Sequence, residues 1–253
     1  MCAKPIFDRP IAHRGLHDRS RGVIENSSSA FAAAIEHGYA IECDVQLSRD
    51  GIPVIFHDDD LDRLTGVAGP VGARTASELS TFRLLGSAAG DAPPRFSDFL
   101  TQVSGRVMLQ VELKQQPDAA ATEVLAQTVM DGLRGYRGPV TLESFDPNLL
   151  VAVRKRGAQM PLGIVTYGYD EPEWDQQLTN GQRFMLRHLL HWPLTRFDFI
   201  SCRDRSLDLP AVRFFRSLGV PVTAWTIKSP AAAMAVMGKA DQIVFEGFAP
   251  PSA

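Results

Sequence analysis

The stretch AIECDVQLSRDGIPVIFHDD, residues 40–59, is the most informative part of the sequence for the fold. Its first half, Ala40–Gln46, is a short run with apolar residues on both sides of two acids, as in a strand buried on both faces. Asp50-Gly51 is a strong tight-turn dipeptide, and Pro53–His57 after it has the pattern of another strand. The stretch therefore predicts a buried sheet strand, a turn and an extra strand.

Seven more strand candidates lie on either side of this stretch, with helical segments between them. The eight candidates are Pro10–His13, Ala40–Gln46, Val107–Lys114, Pro139–Ser144, Pro161–Thr166, Phe197–Cys202, Val220–Thr226 and Asp241–Phe245, and the helical segments include Ser27–His37, Asp118–Leu133, Asn148–Lys155 and Pro210–Leu218. Strands that alternate with helices indicate a parallel sheet covered by helices. Eight such units in 253 residues favour the α/β class and a (β/α)8 TIM barrel over a doubly wound sheet.

Two parts of the chain depart from the strand–helix repeat. Residues 51–94 contain the extra strand and a segment rich in Gly, Thr and Ala, which predicts a small insertion after the second barrel strand. Only Gly247–Ala253 follows the last strand, so the final covering helix is predicted to be truncated. Because one α/β barrel routinely uses about 200–250 residues, residues 1–253 are expected to form a single barrel domain.

Composition argues against several classes of protein. Hydrophobic residues at 45% and charged residues at 22% are near the averages for soluble globular chains, which argues against disorder. The net charge is −3 without a long run of either sign, so no nucleic-acid partner is expected. The longest apolar stretch, Ala231–Met237, is too short to cross a bilayer, and the N-terminus lacks a signal-peptide pattern. With three widely spaced cysteines, the sequence predicts a cytoplasmic protein without stable membrane association, and it does not indicate an oligomeric state.

Acidic side chains point to a metal site. Residues two apart on a strand share a face, so Glu42 lies beside Asp44, and Glu112 lies beside Lys114. One isolated acid in a strand is as often part of a structural ion pair. Two strands that each carry paired charges near their carboxyl ends favour an active site, and three converging carboxylates predict one hard divalent cation, Mg²⁺ or Ca²⁺. Cys43, between the acids, is expected to face the helices.

Two histidines lie at the same predicted rim. His13 ends the first strand and precedes Arg14, and His57 ends the extra strand. A histidine alone at a strand end is more often a structural residue. Beside a divalent ion, two imidazoles supply a general acid and a general base, and an arginine fork matches phosphate oxygens. The set therefore indicates phosphoester chemistry.

The motifs HRG, IENS, ECDVQLSRDGIPVIFHDDDLDRLTG, VELK, SFDP and AWTIKS resemble, in order and spacing, those of the glycerophosphodiester phosphodiesterase family. The resemblance implies a barrel enzyme, a phosphoric diester hydrolase that uses a divalent metal to convert small-molecule glycerophosphodiesters to glycerol phosphate and an alcohol. The site residues that it implies are the catalytic His13 and His57, the metal ligands Glu42, Asp44 and Glu112, and the substrate-binding Arg14, Lys114, Glu25 and Trp225.

The sequence departs from the family's pattern at two rim positions, and these leave the substrate open. The last strand ends in DQIVFE, with Glu246 in place of a shorter acid, and Lys228 replaces the usual asparagine. One alternative is a lysophospholipase D-like phosphodiesterase that acts on lipids, and another is a non-catalytic barrel that serves as a binding module. Four aromatic residues near the rim, Tyr167, Tyr169, Trp174 and Trp225, are candidates to stack on a cationic head group.

Overall fold

The chain folds into a closed barrel of eight parallel strands with helices between them. The computed structural model describes residues 7–171 and 175–251. In this part of the chain the strands are β1 Ile11–Ala12, β2 Ala40–Leu47, β3 Pro53–Ile55, β4 Leu109–Leu113, β5 Val140–Ser144, β6 Leu162–Thr166, β7 Phe199–Arg203, β8 Val222–Ile227 and β9 Gln242–Phe245. The helices are α1 Ser28–Glu36, α2 Asp62–Thr65, α3 Ala76–Leu79, α4 Phe96–Val103, α5 Ala119–Leu133, α6 Pro147–Lys155, α7 Asn180–Arg187, α8 Trp192–Thr195, α9 Pro210–Ser217 and α10 Pro230–Val236.

The strand order closes the sheet on itself. Strand β1 pairs in parallel with β2 on one side and with β9 on the other, so the barrel has no free edge there. Strand β3 pairs antiparallel with β2 and lies outside the parallel barrel. The predicted (β/α)8 barrel is confirmed, and each of the eight predicted strands overlaps an observed one.

Side chains pack closely on both sides of the barrel wall. Outside, Cys43 and Val111 on the strands lie in one buried cluster with Leu125 on α5, so Cys43 faces the helices as predicted. Inside, Phe199 fills the space next to β6, where the Cβ of any residue larger than Gly163 would lie within 2.6 Å of three of its ring atoms. The barrel is therefore a packed core below the level of the site.

Residues 51–94 form β3, α2 and α3 beside the second barrel strand. Helix α2 ends at Gly66 in the left-handed conformation, and Thr75 and Glu78 form a capping box at the start of α3. Buried side chains of the segment and of its flanks make a cluster separate from the barrel core: Ile24, Val54, Phe56, Leu61, Leu64, Val71, Ala76, Leu79 and Leu84. This cluster holds the segment against the mouth of the barrel.

The end of the described chain lacks a covering helix. Residues 246–251, as described, contain no helix after β9, in agreement with the predicted truncation. The Tyr39 hydroxyl donates a hydrogen bond to the Pro250 carbonyl at 2.5 Å, which ties this segment to the barrel. No helix within residues 7–171 or 175–251 has the length and apolar character needed to span a membrane.

Candidate active site

A cavity of about 830 Å³ opens where the carboxyl ends of the barrel strands meet. Six of the nine predicted site residues line it: His13, Arg14, Glu42, His57, Glu112 and Trp225. The other three, Asp44, Lys114 and Glu25, each contact at least one of these six. The fold thus gathers residues from distant parts of the sequence at the catalytic end of the barrel.

Three buried carboxylates converge at one side of the cavity. Each of Glu42, Asp44 and Glu112 has an oxygen within 4.8 Å of the others, and the register of β2 and β4 places Asp44 beside Glu112. Burial and the negative charges of Asp44 and Glu112 raise the pKa of Glu42 well above its ordinary value. A cluster of carboxylates that repel one another in this way has the oxygen donors and the charge that a hard divalent cation requires.

Positive groups balance part of this charge. Lys114 Nζ lies 3.0 Å from Glu112 Oε1 and 3.6 Å from Asp44 Oδ1. Arg14 Nε lies 3.5 Å from Asp44 Oδ2, and the Arg14 backbone N–H donates to Glu42 Oε2 at 2.8 Å. Burial on its own would raise the pKa of Asp44, yet the charges of His57, Lys114 and Arg14 hold it below its ordinary value.

Backbone geometry brings Arg14 to the carboxylates. Arg14 and Asn26 have positive φ angles of 55° and 53°, a backbone conformation that residues other than glycine adopt at some energetic cost. The Asn26 N–H donates to the Arg14 carbonyl at 2.9 Å, and its side-chain amide donates to Asp44 Oδ2 at 2.8 Å. These bonds fix the loop after β1 against the β2 acids.

His13 is held by Glu246, which directly follows β9. Its Nδ1 lies 2.8 Å from Glu246 Oε2, so Nδ1 carries the hydrogen and Nε2 lies 4.0 Å from Glu42 Oε2. Burial lowers the pKa of His13 to about 4. Lys228 Nζ lies 2.5 Å from Glu246 Oε1, so the two departures from the family pattern contact each other. The sequence did not indicate that Glu246 orients a catalytic candidate.

His57 is held in the same manner from the insertion side. Its Nδ1 donates to Asp58 Oδ1 at 2.8 Å, which leaves Nε2 as the nitrogen available for proton transfer. Both imidazoles line one cavity with their Nδ1 atoms engaged by carboxylates. The arrangement suits one acid and one base that act on the same substrate.

Glu25 lies behind Arg14. Its Oε1 accepts from Arg14 Nη1 at 2.6 Å, and both its oxygens accept from Arg63 at 2.8 and 2.9 Å. Arg14 lines the cavity, and the substrate contact implied for Glu25 stays a prediction. Glu25 thus supports the cavity wall.

The aromatic candidates separate into two groups. Trp225 lines the cavity together with Phe145, which the sequence analysis missed, and their ring centroids lie 5.6 Å apart. Tyr167 and Tyr169 are buried and stack on each other with centroids 4.2 Å apart, in a cluster that packs behind Phe145 and Trp225. Trp174 lies outside the described residues. The four predicted aromatics therefore do not form one cage in the part of the chain that is described.

Glu143 is another buried carboxyl group in the cavity wall, and the sequence analysis missed it. It lies on β5 in register with Glu112, and its side chain is 3% exposed. Burial and the negative charge of Glu112 raise the pKa of Glu143 to about 8. Glu143 is an acid inside a predicted buried strand, as Glu42 and Asp44 are, and that signal could have found it.

Residues 13–245 match the Glycerophosphoryl diester phosphodiesterase family. The chain belongs to this family. Membership places it among the phosphoric diester hydrolases.

A glycerophosphodiester phosphodiesterase of Caldanaerobacter subterraneus is 28% identical over 162 residues, which cover 61% of this chain and 65% of that protein. Human glycerophosphodiester phosphodiesterase 1 is 23% identical over 241 residues, which cover 87% of this chain and 71% of the human protein. The match to the bacterial relative thus spans slightly less than two thirds of its length.

Solved structures share the fold. A phosphodiesterase of Oleispira antarctica superposes with a TM-score of 0.75 and 24% identity, over 93% of this chain and 91% of that chain. The glycerophosphodiester phosphodiesterase of Thermotoga maritima superposes with a TM-score of 0.69 and 24% identity, over 93% and 92% of the two chains. At this level of identity the likeness shows a common barrel.

Proposed function

We propose that the chain hydrolyses small glycerophosphodiesters to glycerol phosphate and an alcohol, with one bound Mg²⁺ or Ca²⁺. The observation that carries the proposal is the convergence of three carboxylates and two acid-held histidines on one cavity. The Oleispira antarctica relative was solved in complex with the product sn-glycerol-3-phosphate, which supports the choice of substrate class.

Glu42, Asp44 and Glu112 are the residues that would hold the cation. Their mutual repulsion, visible in the raised pKa of Glu42, is the feature that a bound cation relieves. When bound, the ion supplies polarisation of the phosphoryl oxygens and a lower pKa for the attacking oxygen. Arg14 and Lys114 border the same acids and neutralise the charge that develops on the phosphoryl group.

The two histidines divide the proton transfers. Nε2 of one imidazole removes the proton from the attacking oxygen, and Nε2 of the other delivers a proton to the departing alkoxide. Glu246 and Asp58 accept from the respective Nδ1–H groups, so Nε2 is the atom of each ring that exchanges a proton. Nε2 is unprotonated in the ring that acts as base, whereas the ring that acts as acid is an imidazolium whose Nε2–H supplies the proton. Trp225 and Phe145 form an apolar wall beside the reacting group.

A substrate panel tests the proposal. Purified protein is incubated with glycerophosphocholine, glycerophosphoethanolamine, glycerophosphoglycerol, glycerophosphoinositol and a lysophospholipid, with Mg²⁺, with Ca²⁺ and with chelator, and glycerol phosphate is measured. We expect metal-dependent release from the water-soluble diesters, and kcat lowered by about 10²- to 10⁴-fold in His13→Ala and in His57→Ala. The exposed His37, directly after α1, provides the matched control, His37→Ala. No turnover of any water-soluble diester, or turnover of the lysophospholipid alone, would refute the proposal.

A further inference from the structure

One arginine of the insertion lies between two acids that each hold a residue of the candidate site. Arg63 on α2 donates to Asp58 from Nε to Oδ2 at 2.6 Å and from Nη2 to Oδ1 at 2.9 Å. It donates to Glu25 from Nη1 to Oε2 at 2.9 Å and from Nη2 to Oε1 at 2.8 Å. A single guanidinium therefore forms two-pronged contacts with both carboxylates.

Each of these two carboxylates also accepts a hydrogen bond from a residue that lines the cavity. Asp58 Oδ1 also accepts from His57 Nδ1 at 2.8 Å. Glu25 Oε1 also accepts from Arg14 Nη1 at 2.6 Å. Arg63 thus links the orientation of one proposed proton-transfer residue to that of the proposed phosphate-binding arginine.

We propose that Arg63 is a positioning residue that fixes His57 through Asp58 and Arg14 through Glu25. The inference rests on the proposed function, because His57 and Arg14 matter to catalysis only if the cavity cleaves a phosphodiester. The arrangement needs the planar donors of arginine, which present pairs of N–H groups to two carboxylates at once. A lysine would keep the charge but would lose this geometry.

Electrostatics agrees with the contact geometry. Burial on its own would raise the pKa of Glu25, yet hydrogen bonds from Arg63 and the charge of Arg14 lower it to about 2. Burial would likewise raise the pKa of Asp58, yet hydrogen bonds from His57 and Arg63 lower it. Both acids are therefore ionised and share the guanidinium of Arg63. Without Arg63, the two acids lose four hydrogen bonds, and Asp58 is free to turn away from the imidazole.

A merely structural role for Arg63 predicts a different set of effects. Its side chain is 44% exposed, and an exposed ion pair contributes only about 0–1 kcal/mol to stability. The insertion keeps its own apolar cluster without the arginine. Removal of Arg63 should therefore change catalysis much more than the melting temperature.

The experiment compares Arg63→Ala and Arg63→Lys with Arg49→Ala. Arg49 pairs with Glu78 at 3.2 Å on the exposed side of the same region and serves as the matched control. Misplacement of a reacting group by about 1 Å can cost 10²-fold in rate, so we expect Arg63→Ala to lower kcat by about 10- to 100-fold. Arg63→Lys should recover less than half of the kcat that Arg63→Ala loses, and the kcat of Arg49→Ala should stay within about twofold of that of the parent.

A second readout does not depend on turnover. NMR of protein that contains ¹⁵N-labelled histidine reports which ring nitrogen of His57 carries hydrogen. We expect the Nδ1–H form in the parent and in Arg49→Ala. In Arg63→Ala we expect a mixture of the Nδ1–H and Nε2–H forms. A parent that cleaves no diester while Arg63→Ala shifts the His57 resonances refutes the proposed function but supports the link from Arg63 to His57. Unchanged His57 resonances in Arg63→Ala, or a kcat within about twofold of an active parent, overturn the inference.

Discussion

Replacement of Glu42 by Gln should have opposite effects on the protein with and without metal. Without metal, burial and the neighbouring acids raise the pKa of Glu42 well above its value of 4.5 in the unfolded chain. The folded chain then binds a proton that the unfolded chain releases, so this group makes stability fall as pH rises above about 4.5. Gln keeps the shape and a carbonyl to accept from Arg14 N–H, and it does not titrate. Metal-free Glu42→Gln should therefore be at least as stable as the parent at pH 7.5.

With metal bound, the parent should be more stable than Glu42→Gln. A ligand at 100 times its Kd stabilises the folded state by about 2.7 kcal/mol. For a chain of this size, 1 kcal/mol corresponds to about 2–4 °C, so the parent should gain roughly 5–11 °C in melting temperature. Glu42→Gln removes one of three carboxylates from the cluster and should lose most of that gain.

Thermal unfolding is measured by circular dichroism, in chelator and at saturating Mg²⁺ or Ca²⁺. One preparation then gives the melting temperature without metal and the melting temperature with metal. Glu36→Gln, at an exposed acid of α1, is the matched control and should behave as the parent does. A metal-induced gain in Glu42→Gln equal to that of the parent would show that the ion binds elsewhere. A metal-free variant clearly less stable than the parent would show that the buried acids do not repel one another.

Two further predictions concern the barrel and its periphery. Gly163→Ala should destabilise the fold by about 1–3 kcal/mol, because the new Cβ would lie within 2.6 Å of the Phe199 ring; Gly181→Ala on α7, where nothing lies within 4 Å, should not, and urea unfolding compares them. Burial lowers the pKa of His191 to about 4 from 6.5, so its contribution to stability is present above pH 6.5 and is lost as pH falls toward 4. His191→Gln should reduce the loss of stability between pH 6.5 and 4 by at most about 3 kcal/mol, as measured by urea unfolding across that range. The control His37→Gln, at an exposed histidine, should leave the loss unchanged. A stable Gly163→Ala, or an unaltered acid profile in His191→Gln, would contradict the respective assignment.

The barrel was predictable because its signals are local. In Ala40–Gln46, apolar side chains that face the helices alternate with acids at a spacing of two, which is the pattern of a barrel strand that carries site residues. The same spacing puts Glu42 and Asp44 on one face, which is why the carboxylate cluster could be predicted before any contact was known. The motif resemblance then supplied the substrate-binding role of Lys114 and added Glu25.

The supporting contacts were not predictable because they join distant segments through long side chains. Glu246 meets His13 across 233 residues of sequence, and Arg63 meets Glu25 across 38. No periodicity relates such pairs; only the closed barrel and the folded insertion bring them together. Tyr167 does not line the cavity, because its hydroxyl donates to the buried Asp175 and its ring lies behind Phe145.

Metal stoichiometry measured together with turnover tests the central claim most directly. Chelator-treated protein is titrated with Mg²⁺ or Ca²⁺ while bound metal and glycerol phosphate released from a glycerophosphodiester are measured on the same samples. We expect turnover to rise with bound metal and to level off at one ion per chain, and Asp44→Asn to show neither tight binding nor turnover. Full turnover by metal-free protein, or undiminished metal-dependent turnover by Asp44→Asn, would contradict the assignment of Glu42, Asp44 and Glu112 as the catalytic metal site.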